Sequence, residues 1–198
     1  AKKYKAMSDK WNGLAILHYA ASRVGALEVG FVPSKKGLNT KGIIDSVASN
    51  DIKLLWLLGE DEVILSDKHD AFIVYQGHHG DKGAERADLI LPGSAYTEKD
   101  GTYVNTEGRV QRTNTAVSPP GDAREDWKII RAFSGFVDKT LPYDNISELR
   151  ERLAKINELL VIENSLIKGD IADIGDLSIK LTKDNVNPKN INYFMTCP

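Results

Sequence analysis

The chain has 198 residues, of which 41% are hydrophobic and 27% are charged, and its formal net charge is −2. This composition is ordinary for a globular protein, and the near-neutral charge gives no electrostatic basis for binding nucleic acid or an anionic membrane. The one cysteine, Cys197, can neither form a disulfide within the chain nor hold an iron–sulfur cluster.

The two ends of the sequence suggest a piece of a longer protein. It begins Ala1-Lys2-Lys3 without an initiator Met, and it stops at Thr196-Cys197-Pro198. A targeting segment could therefore be missing. No apolar run approaches the roughly 18 residues that span a bilayer, so direct membrane insertion is not expected.

Two helices are predicted before residue 52. The first would begin at Ser8 or Asp9 and run for about four turns. Its buried face would carry apolar residues at helical spacing: Trp11, Leu14, Leu17, His18, Ala21 and Val24. After a loop over residues 29–39, the spacing of Ile43, Ile44 and Val47 indicates a shorter helix that ends near Asn50.

Three apolar runs, over residues 52–58, 72–76 and 89–91, predict the strands of a parallel sheet covered on both faces. Trp56 and Ile73 should then lie buried on neighbouring strands. Ligands of such sheets bind beyond the carboxyl ends of the strands. Candidate ligand-binding segments are therefore those that follow the strands, residues 59–62 and 77–83.

The second half predicts a hairpin and two helices. Side chains alternate along residues 102–104 and 109–113, which lie on either side of Glu107-Gly108, and this pattern favours an antiparallel hairpin. The pairs Asp122 with Glu125 and Asn145 with Glu148 have the spacing of helix capping boxes. The apolar faces of the two helices would be formed by Trp127, Ile130, Phe133 and Val137, and by Leu149, Leu153, Ile156 and Leu160.

These elements predict an α/β fold: a mostly parallel sheet flanked by helices, with an added hairpin and C-terminal helices. Residues 1–160 would form this domain. Residues 161–198 have no strong periodicity and would form a C-terminal extension that wraps a neighbour.

The glycine-punctuated loop over residues 77–83 is the first candidate site. Its histidines, His78 and His79, with Asp81 nearby, could reach one metal ion, but a closed site needs further ligands, so a hydrogen-bonded loop is favoured. The loop could also cradle a phosphate. However, Asp81, Glu85 and Asp88 would repel an anion, and an ordinary turn is favoured. We interpret His18 as a core or interface histidine and His69 as a surface loop residue.

A second candidate is a group of charged residues around the hairpin: Glu98, Lys99, Asp100, Glu107 and Arg109. They could serve as acid–base groups, but no Ser–His–Asp or Cys–His arrangement accompanies them. An ion-pair and turn network that fixes the hairpin is the favoured interpretation. We therefore predict no catalytic, cofactor-binding or metal-binding residues.

Several segments together are similar to the signature of the molybdopterin oxidoreductase family. They are residues 87–92 (ADLILP), 98–102 (EKDGT) and 105–111 (NTEGRVQ). Residues 75–81 (YQGHHGD), 119–130 (PPGDAREDWKII) and 140–144 (TLPYD) resemble one branch more narrowly. That branch is the large iron–sulfur subunit of NADH–quinone oxidoreductase, respiratory complex I.

The resemblance implies a cofactor-free scaffold within that subunit. The subunits of this branch carry [2Fe-2S] and [4Fe-4S] clusters in an N-terminal region that this chain lacks, and their later region is regarded as having lost the molybdenum cofactor. Other peripheral-arm subunits would be the partners, on the cytoplasmic side of the bacterial inner membrane or the matrix side of the mitochondrial one. The alternative is a domain that still binds molybdopterin guanine dinucleotide or another nucleotide.

The loops argue against that alternative. Three acids, Glu60, Asp61 and Glu62, follow the first strand, where a pyrophosphate or ribose would come close. Only Lys82 and Arg86 lie near to offset these acids and Asp81. We therefore expect the chain to bind neither molybdopterin nor NADH.

Overall fold

The computed structural model describes residues 7–8, 11–13, 16–18, 20–60, 62–80 and 82–165. The strands are β1 (Met7–Ser8), β2 (Trp11–Asn12), β3 (Leu54–Leu58), β4 (Phe72–Gly77), β5 (Leu89–Pro92), β6 (Gly101–Val104) and β7 (Val110–Thr113). The helices are α1 (Arg23–Glu28), α2 (Thr40–Ala48), α3 (Lys82–Glu85), α4 (Asp126–Phe136) and α5 (Ile146–Ile156). This arrangement confirms the predicted α/β fold, and the proposed division at residue 160 stays a prediction.

The prediction of a long first helix was wrong. Trp11 lies in β2, which pairs antiparallel with β1, and among the described residues of the expected face only Val24 lies in a helix. A helix of this length depends on burying its apolar face. Here Leu17 is 82% exposed, so this residue of the predicted apolar face is not packed against the rest of the fold. His18 is exposed and lies outside any helix, so the core alternative for it was wrong, and the interface alternative stays a prediction.

The three predicted parallel strands are confirmed. They form one sheet in the order β3-β4-β5, in which Leu55 is paired with Ile73 and Tyr75 with Ile90. On one face, the buried residues Leu57, Leu65, Ile73 and Tyr75 form a core cluster against which Ile44 of α2 packs. The carboxyl ends of all three strands meet at one edge of the sheet, as parallel pairing requires.

The second face of the sheet is only partly covered within the described residues. Trp56 points to this face, where its ring meets Phe133 of α4 edge-on at 4.9 Å between centroids. Leu54 remains 55% exposed. Ile73 is fully buried as predicted, but Trp56 is only half-buried, because strand alternation puts it on the opposite face.

The predicted hairpin is confirmed by β6 and β7, which pair antiparallel from Gly101 with Thr113 to Val104 with Val110. It carries its own core cluster of Val104, Val110 and Leu160, and Leu153 of α5 packs against it. The 3-10 helix Glu158–Val161 delivers Leu160 to this cluster. The hairpin therefore joins the C-terminal helices to the rest of the fold.

Of the two predicted capping boxes, the side-chain cap of Asn145 is present, whereas the Glu148 carboxylate accepts from the Asp144 N–H and from the Asn145 side chain and not from the Asn145 N–H. Asn145 caps α5 by accepting a hydrogen bond from the Glu148 N–H. The prediction for Asp122 was wrong, because α4 begins only at Asp126 and its N-cap residue is Glu125. The intervening residue Arg124 instead forms a parallel bridge with Gly93, which keeps this segment extended. His69, interpreted as a surface residue, is half-buried.

Candidate functional site

The candidate site lies beyond the carboxyl ends of β3, β4 and β5. Main-chain hydrogen bonds continue past the strands, since Gly59 N–H donates to the Gln76 carbonyl at 2.7 Å and Gly93 N–H to the Gly77 carbonyl at 2.8 Å. A Cβ on Gly93 would lie 3.1 Å from Asp126 Oδ1. A larger residue there would therefore require Asp126 to shift slightly at the point where the two strand ends and the start of α4 come together.

In the loop after β3, the carboxylate of Glu60 folds back onto the main chain of its own loop. Glu60 Oε1 accepts hydrogen bonds from the N–H groups of Glu62 at 3.0 Å and Val63 at 3.1 Å. Gly59 allows this turn with a φ of 58°. The neighbouring acid, Asp61, lies outside the described residues. The Glu60 carboxylate is thus used to fix its own loop.

The glycine-rich loop after β4 is packed against the chain itself. A Cβ on Gly83 would lie 2.7 Å from the carbonyl oxygen of Glu60 and 2.8 Å from Cδ2 of Tyr75. A Cβ on Gly77 would overlap the Tyr75 hydroxyl. The two glycines at the ends of the loop, Gly77 and Gly83, therefore make room for the buried Tyr75 ring.

The two histidine rings of this loop contact each other at a tilt of 43°, with their centroids 4.3 Å apart. Burial lowers the pKa of His78, and the neighbouring charges of His79 and Lys99 lower it further. No group of three or more potential ligands is placed to hold a metal ion in the part of the chain that the structure describes. The third candidate ligand, Asp81, lies outside that part.

A buried polar network links the strand ends to α4. Gln76, fully buried, donates from its side-chain amide to Asp126 Oδ1 at 3.0 Å. The Lys99 ammonium donates to the other oxygen, Asp126 Oδ2, at 2.7 Å. Both oxygens of the Asp126 carboxylate therefore accept a hydrogen bond from a side chain. Gln76 Oε1 and the buried Ser94 hydroxyl have no partner among the described residues.

Sequence reasoning identified Lys99 as a candidate but missed Gln76 and Asp126. A glutamine at the end of an apolar strand was the available signal, because a polar group buried there needs a partner. Asp126 lies 50 residues further along the chain, and no sequence pattern connects the two positions.

The other charged residues near the hairpin fix turns. Glu98 Oε2 accepts from the Ala95 N–H at 3.0 Å. Asp100 Oδ1 accepts from the Thr115 N–H at 2.7 Å. Glu107 and Arg109 lie at the hairpin tip, where their side chains are 3.6 Å apart. The guanidinium of Arg109 also donates to the Asn164 carbonyl at 2.8 Å. The structure does not bring these side chains together into one acid–base site.

Comparison with known proteins identifies the family. The family model described as molybdopterin oxidoreductase matches residues 1–136, more than half of the chain. The chain therefore belongs to the molybdopterin oxidoreductase family, and the family predicted from the sequence motifs is confirmed.

Curated relatives point to one branch of that family. The chain is 54% identical over 156 residues to the mitochondrial NADH-ubiquinone oxidoreductase 78 kDa subunit of Neurospora crassa, which covers 78% of this chain and 20% of that protein. It is 49% identical to the NADH-ubiquinone oxidoreductase 75 kDa subunit of Reclinomonas americana, covering 85% of this chain and 26% of the relative. It is 41% identical to an NADH-quinone oxidoreductase subunit of Rickettsia conorii, covering 98% and 27%.

The chain thus spans between a fifth and about a quarter of the length of these relatives. Within the described ranges, no helix is both long and apolar enough to cross a membrane.

Proposed function

We propose that this chain is a structural, cofactor-free part of the large iron–sulfur subunit of an NADH:quinone oxidoreductase. Relatives named as subunits of NADH-ubiquinone or NADH-quinone oxidoreductase are 41% to 54% identical to the chain, which supports its place in such an enzyme. The observation that carries the cofactor-free role is the packing of Tyr75 and Glu60 against the glycines of the loop after β4.

The residues present do not fit a guanine dinucleotide of the molybdenum cofactor. A phosphate cradle needs main-chain N–H groups that face open space. Here the Tyr75 ring lies against Gly77 and Gly83, and the Glu60 carbonyl also lies against Gly83. A ligand group against Gly83 would have to displace Tyr75, which shares a core cluster with Leu57 and Ile73.

The charges at the strand ends do not favour an anion either. Arg86, one of the two cations expected near the loop, donates to the Leu65 carbonyl and pairs with Asp67 at 2.9 Å. Lys99 is paired with Asp126. The other expected cation, Lys82, is outnumbered by the carboxylates of Glu60, Glu62 and Glu85, so a pyrophosphate would meet net repulsion.

Electron transfer in this proposal belongs to other parts of the subunit. An iron–sulfur cluster takes several cysteine ligands, and Cys197 is the one cysteine of this chain. The electrons of NADH would pass toward quinone through clusters held elsewhere in the polypeptide. This chain would contribute surfaces that hold the peripheral arm together, on the matrix or cytoplasmic side of the membrane.

Purification from the native membrane tests this placement. An affinity-tagged chain, extracted in mild detergent and run on a native gel, should migrate with the band that stains for NADH oxidation. Quinone reduction by that band should be sensitive to inhibitors of the quinone site. Migration of the tagged chain apart from that activity would contradict the proposed subunit, whatever the chain's cofactor content proves to be.

A further inference from the structure

An apolar surface lies on the second face of the parallel sheet, opposite the core cluster that contains Tyr75. α4 covers part of this face, where the Phe133 ring meets the Trp56 ring. Seven large apolar side chains of the strands and of α4 nevertheless remain between 42% and 87% exposed: Leu54, Leu58, Phe72, Leu89, Phe133, Phe136 and Val137. A large exposed apolar patch on a folded protein marks an interaction site.

The connections between the strands lie on the other face of the sheet. Leu65, in the connection from β3 to β4, belongs to the core cluster of that face, and Ala84 of α3 packs against the same cluster. Ile44 of α2 also packs there. The second face therefore depends on α4 for its cover, and the strand residues beyond the reach of α4 stay exposed.

The apolar surface consists of two halves of different kinds. The sheet half comprises the exposed strand residues Leu54, Leu58, Phe72 and Leu89. The helix half lies at the end of α4 and comprises Phe133, Phe136 and Val137. Parallel sheets are normally covered by helices on both faces. Each half therefore offers what the other lacks, since one is an apolar sheet without a full helix layer and the other is an apolar helix end without a full sheet beneath it.

We propose that two copies of this chain form a symmetric dimer, in which the helix half of each copy packs on the sheet half of the other. A two-fold axis produces two identical contacts of this kind, because each copy contributes both halves. Phe136, which is 87% exposed in the single chain, is buried in both contacts. The dimer rests on this surface alone and not on the proposed function.

The area of the surface suits a second copy. Large apolar side chains present about 150–250 Å² each when fully exposed, so the seven exposed fractions amount to roughly 600–900 Å² per copy. A stable interface between two proteins buries about 600–1,000 Å² on each partner. The surface is therefore large enough to hold two copies together without a further contact.

The charge of the surface also permits self-association. Parallel register and strand alternation place Leu, Trp, Phe, Val and Gln side chains on the second face of β3, β4 and β5, and none of these is charged. The formal net charge of the whole chain is only −2. Two copies can therefore meet through this face without the like-charge repulsion that excludes wrong partners.

Sedimentation equilibrium of the purified chain tests the proposal. We expect the mass of two chains at micromolar concentration and dissociation to the mass of one chain on dilution. Phe136→Lys should raise the dissociation constant by about 100-fold or more, because it places a charge in both contacts. A chain that keeps the mass of one copy at millimolar concentration would overturn the proposal, as would a dimer that Phe136→Lys leaves intact.

Ile64→Lys is the matched control. Ile64 is also apolar and exposed, but it lies in the connection between β3 and β4 and not on the proposed interface. This variant should leave the dissociation constant unchanged. Both variants should keep the circular dichroism of the wild type, because both side chains are exposed in the single chain. Equal weakening of the dimer by the two variants would contradict the assigned surface.

A mixture of two variants tests the pairing of the halves. Phe136→Lys changes only the helix half, and Leu54→Asp changes only the sheet half, so each variant alone should be a monomer. In a mixed dimer, one contact pairs the new lysine with the new aspartate and the other contact is unchanged. We therefore expect the mixture to form a dimer with one chain of each kind, detected by native mass spectrometry. A mixture that stays monomeric would contradict the packing of helix half on sheet half.

Discussion

Lys99 and Asp126 form an ion pair of 2.7 Å although 27 residues separate them in the sequence. The pair joins the segment after β5 to the first turn of α4. Because Gln76 holds the other carboxylate oxygen, one side chain ties together the end of β4, the approach to the hairpin and α4. This network, and not a ligand, holds the carboxyl edge of the sheet in our account.

Removing the Asp126 charge should destabilise the fold. Asp126→Asn leaves the Lys99 ammonium, whose side chain is 17% exposed, without its counter-charge. We expect a loss of about 1–3 kcal/mol in the free energy of unfolding, measured by urea denaturation. Asp45→Asn breaks the exposed pair with Lys41 on α2 and should cost about 0.5 kcal/mol or less. Equal losses in both variants would contradict the role of the network.

Alanine substitutions at Gly83 and Gly80, in the segment after β4, should have different effects on stability. Gly83→Ala places a methyl against the Glu60 carbonyl and the Tyr75 ring, and should cost about 1–3 kcal/mol. Gly80 has no atom within 4 Å of its Cβ position, so Gly80→Ala should be neutral or stabilise by about 0.4–1 kcal/mol. Thermal unfolding of both variants measures the difference. A tolerated Gly83→Ala would show that the loop is not packed on Tyr75.

Stability should depend on pH through His78. Burial, followed by the charges of His79 and Lys99, lowers the pKa of His78 in the folded state below its ordinary value of 6.5. The unfolded chain therefore binds the proton more readily. The contribution of the neutral imidazole is fully present above pH 6.5 and is lost as the pH falls from there through the lowered pKa.

Denaturation midpoints across this pH range measure the effect. His78→Gln should flatten the decline below pH 6.5, whereas His18→Gln, at an exposed position, should leave it unchanged. An unaltered decline in the His78 variant would mean that other groups cause it.

Alanine substitutions at the two predicted helix caps should have clearly different effects on the free energy of unfolding. Asn145→Ala removes the acceptor for the Glu148 N–H and should cost about 1 kcal/mol. Asp122→Ala should change stability by about 0.5 kcal/mol or less, since Asp122 is exposed and lies before the start of α4. Urea denaturation of both, with Ser147→Ala on the surface of α5 as a control, provides the comparison. A larger cost at Asp122 than at Asn145 would reverse our assignment.

Local patterns predicted much of this fold. The apolar runs gave β3, β4 and β5, because buried parallel strands are continuously apolar. The hairpin followed from alternation around a turn, and α5 from the spacing of Asn145 and Glu148. In each case the signal lies within a few residues of the element that it predicts.

Features that depend on distant packing were not predictable in the same way. Trp11 has helical spacing with Val24, yet Trp11 lies in a strand, and among the described residues of this segment the helix begins only at Arg23. Asp122 and Glu125 have capping spacing, yet the bridge between Gly93 and Arg124 delays the start of α4. The contact of Gln76 with Asp126 is likewise set by the tertiary fold, 50 residues apart.

Calorimetric titration of the purified chain with guanine nucleotides and NADH, together with analysis of its bound metal, tests the cofactor-free account most directly. With Tyr75 against the loop glycines and Lys99 held by Asp126, we predict no heat of binding beyond dilution and no stoichiometric molybdenum or iron. Micromolar affinity for a nucleotide, or one molybdenum per chain, would contradict the account and establish a working cofactor site at the strand ends.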